Sequence, residues 1–444
     1  MNSPNRSAEG CGKAQSGRSA HRHNQMMTQL REGPSEAISP PSKEGQHVAL
    51  LMVSLEGGGV QKSLLHLARA LADRGHRVDL VLYKAQGDFV DSVPSSIKVV
   101  ALETAPVWMG RLHAFRAAPE HLMHLALPVL LPLKPQGTVR CLPALVRYLR
   151  AERPAVLFSA DTYLNLIALW ARRLAGVSVN TVISERIHLS NHLRDGAKRR
   201  KWRWRFIVPL LRRTYPDADR IIAVSHGVAD DLRTLVRLPP ELVTTVYNPV
   251  VDSELAKKAD APIDHAWFKP GAPPVIIAVG RLTEQKDFST LLQAFAQVRA
   301  QRQARLLLLG EGEMRPKLEA RARELGVDRD VSLPGFRSNP FAYMARAAVF
   351  VLSSAYEGLP GVLIQALACG CPVVSTDCPS GPAEILENGQ YGRLVPVGDP
   401  AAMAQAILST LEAPPDRGLL QKQASLFSVD RAIEQYLEVL FAHT

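Results

Sequence analysis

Short apolar runs recur along this chain, each followed by a turn and then by apolar residues at helical spacing. In HVALLMVSLEGGGVQKSLLHLARALADRGHRVDLVLY, the run at 48–53 reads as a strand buried on both faces. The glycines behind it make a turn. Leu64, Leu65, Leu67, Ala68 and Leu71 then mark one helix face, and Gly75 ends that helix. The closing RVDLVLY predicts a second strand, and further strands are predicted at 155–160, 179–184 and 220–225. After Asp252 the chain is polar and proline-rich through Pro274, which predicts a linker. The same alternation restarts at 275–280, 304–310, 331–336, 349–354 and 372–376. Strands alternating with helices imply parallel sheets covered on both faces. The expectation is an α/β chain with two Rossmann-like, doubly wound domains facing a central cleft. Ligands then sit beyond the carboxyl ends of the strands.

The boundaries that follow are a disordered polar tail at 1–45, a first domain at 46–252 and a linker at 253–274. A second domain at 275–425 and a terminal helix at 426–444 complete the chain. Composition agrees: 444 residues, 46% hydrophobic and 21% charged, exceed one ordinary core. No apolar run reaches the roughly 18–20 residues needed to span a bilayer. The tail lacks the apolar core of a secretory signal, and Met26 or Met27 reads as an alternative start. Five cysteines without metal-ligand or CxxC spacing point to reduced thiols and a cytoplasmic protein, and no metal site follows. The net charge of +11 is uneven. Residues 46–250 carry 28 basic and 16 acidic side chains, whereas residues 251–444 carry 19 and 22. The first domain is therefore built to meet something anionic.

Candidate chemistry follows the strands. Gly57, Gly58 and Gly59 open the first helix, where bare backbone amides can approach a phosphate; a plain tight turn is the alternative. The pattern is not GxGxxG, which argues against a nicotinamide cofactor. In GRLTEQKDF, Arg281 and Lys286 lie just beyond a strand and suit a diphosphate, or else form a solvated loop. In SSAYEGLPGVLIQALACG, Glu357 sits in a loop, and a helix starts near Pro360 or Gly361. The amides of Gly358, Leu359, Pro360-flanked Gly361 and the following turn would face the cleft, and Gln365 can reach the same cavity. A helix-capping role for Glu357 and a surface role for Gln365 remain the plainer readings.

Taken together, GGGVQKSLLHLARAL, DADRIIAVSHGVADDL, VYNPVVD, VGRLTEQKDF, LLLLGEGEMRPKLEARARELGV, VSLPGF, SSAYEGLPGVLIQALACGCPVVSTDCPSGPAEIL and YGRLVPVGDP resemble the family 4 retaining glycosyltransferases across residues 47–440. The resemblance implies the GT-B architecture, with a nucleotide-sugar held by the second domain and the acceptor by the first. It implies that Glu357 meets the donor sugar and that Arg281 and Lys286 hold the diphosphate. Gly58 and Gly59 would approach the phosphates, Pro334 and Gly335 the base, and Gln365 the ribose. The family has a second glutamate at the Gln365 position; an amide offers both a donor and an acceptor there. His188 is the first-domain candidate near the sugar, with Arg186 beside it. The final helix resembles the segment that crosses back to the first domain. No metal or other cofactor is implied, and Asp328-Arg329-Asp330 is an incidental DxD in a turn.

KRRKWRWRFIVPLLRR at 198–213 carries eight basic residues, no acid, and interleaved aromatics. It fits a segment lying in an anionic membrane interface, with an internal helix as the alternative. Nucleic acid is not an expected partner, because no binding module accompanies it. The resulting expectation is a cytoplasmic enzyme, peripheral on the inner face of the membrane. It would move a hexose or N-acetylhexosamine from a nucleotide-sugar, UDP-linked by preference, to a lipid-linked or polysaccharide-precursor acceptor with retention. A catalytically degenerate sugar-nucleotide-binding protein and a GT-B epimerase are the rival readings.

Overall fold

The structure is a computed structural model that describes residues 45–56, 58–87, 89–131, 137–194, 204 and 206–442. The polar tail, Gly57 and the basic run at 198–203 with Arg205 lie outside the described residues. Two parallel sheets form the frame. The first orders its strands β3-β2-β1-β4-β5-β6-β7, and the second β10-β9-β8-β11-β12-β13. In the first, β1 is His47–Met52, β2 Arg77–Leu82, β3 Lys98–Ala101, β4 Val156–Ser159, β5 Asn180–Glu185, β6 Arg220–Ala223 and β7 Val243–Thr245. In the second, β8 is Val275–Val279, β9 Arg305–Leu309, β10 Val331–Gly335, β11 Val349–Leu352, β12 Val373–Thr376 and β13 Arg393–Val395.

The apolar runs become strands because both faces are covered. Val48, Leu50 and Met52 of β1 join one buried cluster, whereas Ala49 and Leu51 join another on the opposite face. β3, β7 and β13 had no such signal. All three are short edge strands, and β3 is largely exposed, so no continuous apolar run marks them.

Helices used below are numbered in chain order. α1 (Gly59–Asp73) buries the expected face of Leu64, Leu65, Leu67, Ala68 and Leu71, and Gly75 follows it at φ +83. α2 is Val107–Ala117, α3 Leu122–Leu125, α4 Leu189–Arg194, α5 Ile207–Thr214 and α6 His226–Asp231. α7 is Gly361–Ala368 and α8 is Val429–Phe441. The polar stretch after Asp252 also holds a helix, Ser253–Asp260, whose first turn is capped by the Asp252 carboxylate.

α8 carries Ile433, Tyr436, Leu437 and Leu440 on one stripe and packs it against Val48, Leu50 and Phe158 of the first sheet. The Tyr436 and Phe158 rings meet edge to face at 5.8 Å. The end of the chain thus fastens to the first domain. No helix among the described residues is long and apolar enough to cross a membrane.

Both sheets reverse their winding once, between β1 and β4 and between β8 and β11. At those points neighbouring loops leave in opposite directions and open a crevice. The crevice in the second sheet is where the candidate site forms.

Candidate functional site

β8 and β11 are direct neighbours, so the loops after them must run side by side. The loop after β8 tightens into a single turn at Glu284–Lys286, and Asp287 then caps the next helix through the Thr290 amide. Three bonds lace the two loops together. Ser353 Oγ donates to the Lys286 carbonyl at 2.7 Å, the Ala355 amide to the Gln285 carbonyl at 2.8 Å, and Gln285 Nε2 to the Tyr356 carbonyl at 2.9 Å. This lacing brings Lys286 Nζ to 2.6 Å from Glu357 Oε1, which also accepts from Ser354 Oγ at 2.6 Å. Both charged side chains are largely buried, so the pair is mutually compensating rather than solvated. Oε2 of Glu357 makes no bond among the described residues.

The Lys286 stem runs across Gly280, where an added Cβ would meet its Cε at 3.4 Å. Arg281 is exposed at the same strand end, and its side chain has no partner among the described residues. α7 begins behind Glu357 with Pro360 as its first flanking residue, no side-chain cap and no acid in its first turn. Gln365 is half-buried on α7, and its amide bonds to no described residue. Pro334 and Gly335 end β10 on the same carboxyl edge, where the Gly335 carbonyl accepts from the Gly310 amide at 3.0 Å. Gly58 lies extended ahead of α1, and Gly59 opens that helix, again without a side-chain cap. The structure therefore joins Lys286 and Glu357 directly. Arg281, Gln365, Gly58, Gly59, Pro334 and Gly335 stand at strand ends or helix starts without touching that pair through a side-chain bond.

From the first domain, the loop after β5 closes against Gly358. A Cβ on Gly358 would lie 2.1 Å from the Arg186 carbonyl, so only glycine permits this approach. The Arg186 guanidinium is held by Ser63 at 3.1 Å, Asn248 at 2.7 Å and Tyr436 at 3.1 Å. Two residues on, His188 Nδ1 lies 3.5 Å from Asp231 Oδ2 and 3.2 Å from Asn191 Nδ2. The loop is anchored by Glu185, which is fully buried and accepts from Tyr215, from Thr162 at 3.1 Å and from Asn165 at 3.3 Å. Burial pushes its carboxyl up to about 8.

Several contacts at this junction carry no sequence signal. Ser225 Oγ, from the end of the β6 loop, donates to the Gly358 carbonyl at 2.8 Å, and Ser380 Oγ donates to the same oxygen at 2.6 Å. Glu384 of the second domain accepts the His226 and Gly227 amides at 2.9 and 2.8 Å, capping α6 from across the junction. Ser225 and Gly358 lie 133 positions apart, and Glu384 lies 158 and 157 positions from the amides it accepts, so no local pattern could pair them.

The remaining clusters are structural. Asp330 of the DxD turn pairs with Arg299 at 2.7 Å and with Arg305. His47, Asp79 and Glu152 converge at the amino ends of β1 and β2, where Arg77 and Lys98 already pair with Glu152 at 2.5 and 2.9 Å. Cys141, Cys369, Cys371 and Cys378 are free and buried. Burial pushes the Cys378 thiol, beside Glu357, up to about 12, which leaves it unreactive as a nucleophile.

Comparison with known proteins finds matches along most of the chain. A family described as Glycosyltransferase Family 4 matches residues 57–254, and one described as Glycosyl transferases group 1 matches residues 273–413. The N-acetylgalactosamine-N,N'-diacetylbacillosaminyl-diphospho-undecaprenol 4-alpha-N-acetylgalactosaminyltransferase of Campylobacter jejuni is 32% identical over 253 residues. That match spans 56% of this chain and 64% of the relative, just under two thirds of its length. The lipopolysaccharide core biosynthesis glycosyltransferase LpsE of Rhizobium meliloti is 27% identical over 79% of this chain and 84% of its own. Among solved structures, sucrose-phosphate synthase from Thermosynechococcus elongatus superposes with a TM-score of 0.70 at 20% identity, covering 90% of this chain and 100% of that one. The two-domain fold is GT-B.

Proposed function

The chain belongs to the family 4 glycosyltransferases, and from that premise we propose that it transfers a sugar from a nucleoside-diphosphate donor to a lipid-linked or polysaccharide-precursor acceptor. The observation that carries this reading is the Lys286–Glu357 pair at the winding reversal of the second sheet. Glu357 Oε2 is left to accept from a donor-sugar hydroxyl. Arg281, Lys286 and the uncapped start of α7 offset the charge that builds on the departing diphosphate. Gly358, Leu359, Pro360 and Gly361 shape that helix start. Gln365 serves the ribose, Pro334 and Gly335 the base, and Gly58 and Gly59 the phosphate side of the first domain. His188 faces the sugar, oriented by Asp231.

In the reaction the bond from the sugar C1 to the diphosphate oxygen breaks, and one from the acceptor hydroxyl oxygen to C1 forms. The hydroxyl proton passes to the departing diphosphate. The transfer retains configuration, uses a UDP-linked hexose or N-acetylhexosamine, and requires no metal. The names of the Campylobacter and Rhizobium relatives support a polyprenyl-diphosphate or lipopolysaccharide-type acceptor. On this reading the acceptor is met at the inner face of the cytoplasmic membrane.

A thermal-shift screen of nucleotide-sugars should yield a stabilising donor, followed by transfer to an undecaprenyl-diphosphate-linked acceptor. Lys286→Ala should lower transfer about 10²–10³-fold while keeping the wild-type circular dichroism. Transfer within a few-fold of wild type would remove Lys286 from the site. Donor binding without turnover on any lipid acceptor would favour a non-catalytic binder, the reading that the amide at Gln365 motivates.

A further inference from the structure

The peptide that follows Glu357 is held from both domains. The Glu357 amide donates to the Pro379 carbonyl at 3.4 Å, within the second domain. The next carbonyl, on Gly358, takes Ser380 Oγ from the second domain at 2.6 Å and Ser225 Oγ from the first at 2.8 Å. A carbonyl oxygen has two lone pairs, so this one is saturated. Ser225 is fully buried, and its oxygen accepts the Val228 amide at 3.3 Å. Accepting there leaves the hydroxyl hydrogen to point at the other domain.

Strand order explains why these loops meet. β5 and β6 are neighbours in the first sheet, and β11 and β12 in the second. The loops bearing Arg186 and Ser225 therefore run side by side, as do those bearing Gly358 and Ser380. Ser380 stands at φ +73, a backbone region that is costly for a residue with a side chain. Gly227 lets the loops close, since a Cβ there would lie 2.9 Å from Ser380 Cα.

Glu384 sets the register of this junction. Its two carboxylate oxygens take the Gly227 and His226 amides at 2.8 and 2.9 Å, one each. Such a fork fixes the lateral position of the first domain on the second. Every one of these bonds is polar, so water can replace either partner when the domains part. An apolar seam would resist parting more, because it would bare apolar surface. The junction has the chemistry of a seat that releases and re-forms.

We infer that Ser225 is a positioning residue for sugar transfer, holding the peptide after Glu357 from the first domain, with Glu384 fixing the register of that hold. Oε1 of Glu357 is tied to Lys286 and Ser354. The direction of Oε2 then depends on the backbone that Ser225 holds. The second domain presents this carboxylate correctly to a sugar only with the first domain seated. The inference rests on the reading of Glu357 as the residue that meets the donor sugar. It does not involve the diphosphate, whose proposed contacts Arg281 and Lys286 share no bond with Ser225 or Glu384 among the described residues.

Ser225→Ala and Glu384→Gln, each made in the full chain, are compared with wild type. Isothermal titration with UDP and with UDP-hexoses and UDP-N-acetylhexosamines separates the hold on the diphosphate from the hold on the sugar. Both variants should bind UDP as wild type does. They should lose about five- to tenfold in affinity for the UDP-sugar that wild type prefers, and a similar factor in kcat/KM. Hydrogen exchange of the free chain reads the same contact without a donor: the amides of Gly358–Gln365 should exchange faster in Ser225→Ala. A Ser225 that only caps α6 would lower the melting temperature and leave these readouts unchanged. Equal losses for UDP and UDP-sugar, or variants within about twofold of wild type, overturn the inference. So does unchanged exchange at Gly358–Gln365 in Ser225→Ala. A wild type that binds and transfers no UDP-sugar strikes the proposed function instead, and the exchange result still decides whether Ser225 holds the loop.

Discussion

Glu185 ends β5 three residues before His188, and its side chain is completely buried among Tyr215, Thr162 and Asn165. Burial raises its carboxyl to about 8. The folded chain therefore keeps a proton that the unfolded chain releases near pH 4.3. Between those two values the native state binds more protons, so stability falls as pH rises, by up to about 1.4 kcal/mol per pH unit. Glu185→Gln preserves the shape and removes the titration. Urea unfolding of wild type and variant between those limits should show a shallower pH slope for the variant, and parallel curves would contradict the assignment. At this scale the sequence was informative about residue type and position. Glu357, Arg281 and Lys286 were read as cleft residues because they follow strands. What it could not supply were their partners, since Lys286 and Glu357 lie 71 positions apart and Ser354, Ser225 and Glu384 carry no local mark of their roles.

The loop between β11 and α7 shows how an element is shaped by what packs on it. Pro360 and Gly361 were legible as a helix start, and Gly370 at φ +68 follows its end. Gly358 was legible only as part of a turn, yet the Arg186 carbonyl makes it obligatory. Gly358→Ala pushes a methyl into backbone that cannot yield like a flexible side chain. It should destabilise the fold by about 1–3 kcal/mol, read from denaturant midpoints, and lower donor affinity in the thermal-shift screen. A variant indistinguishable from wild type would mean that the two loops do not approach this closely in solution. The edge strands show the opposite limit. β3, β7 and β13 are defined by hydrogen bonding to a neighbour, not by an apolar run of their own.

Across the molecule, the last helix ties the chain end to the first sheet. Tyr436 is fully buried, stacks edge-on with Phe158 and gives its hydroxyl to the Arg186 guanidinium as acceptor. Tyr436→Ala leaves a cavity and should cost about 3–5 kcal/mol, whereas Tyr436→Phe loses one hydrogen bond and should cost about 1 kcal/mol. Equal effects in chemical denaturation would show that the ring does not carry the packing. The stripe of Ile433, Tyr436, Leu437 and Leu440 announces a buried face in the sequence; which sheet it covers does not appear there.

The apolar and polar pattern by itself determined two parallel α/β sheets and the strands at their centres, because burial on both faces forces continuous apolar runs; the family followed from the resemblance of the motifs. It also determined which residues stand at strand ends, because strand and helix boundaries follow from local backbone chemistry. Tertiary structure alone decided that Lys286 meets Glu357, that Arg186 presses on Gly358 and that Glu384 caps α6, because these contacts depend on strand order rather than on chain proximity. It also decided which face of α2 turns inward. Trp108, Leu112 and Phe115 have the spacing of a core face, yet they are exposed, and the inward face is Gly110, Ala114 and Ala117, where a Cβ on Gly110 would lie 2.4 Å from the Val139 carbonyl.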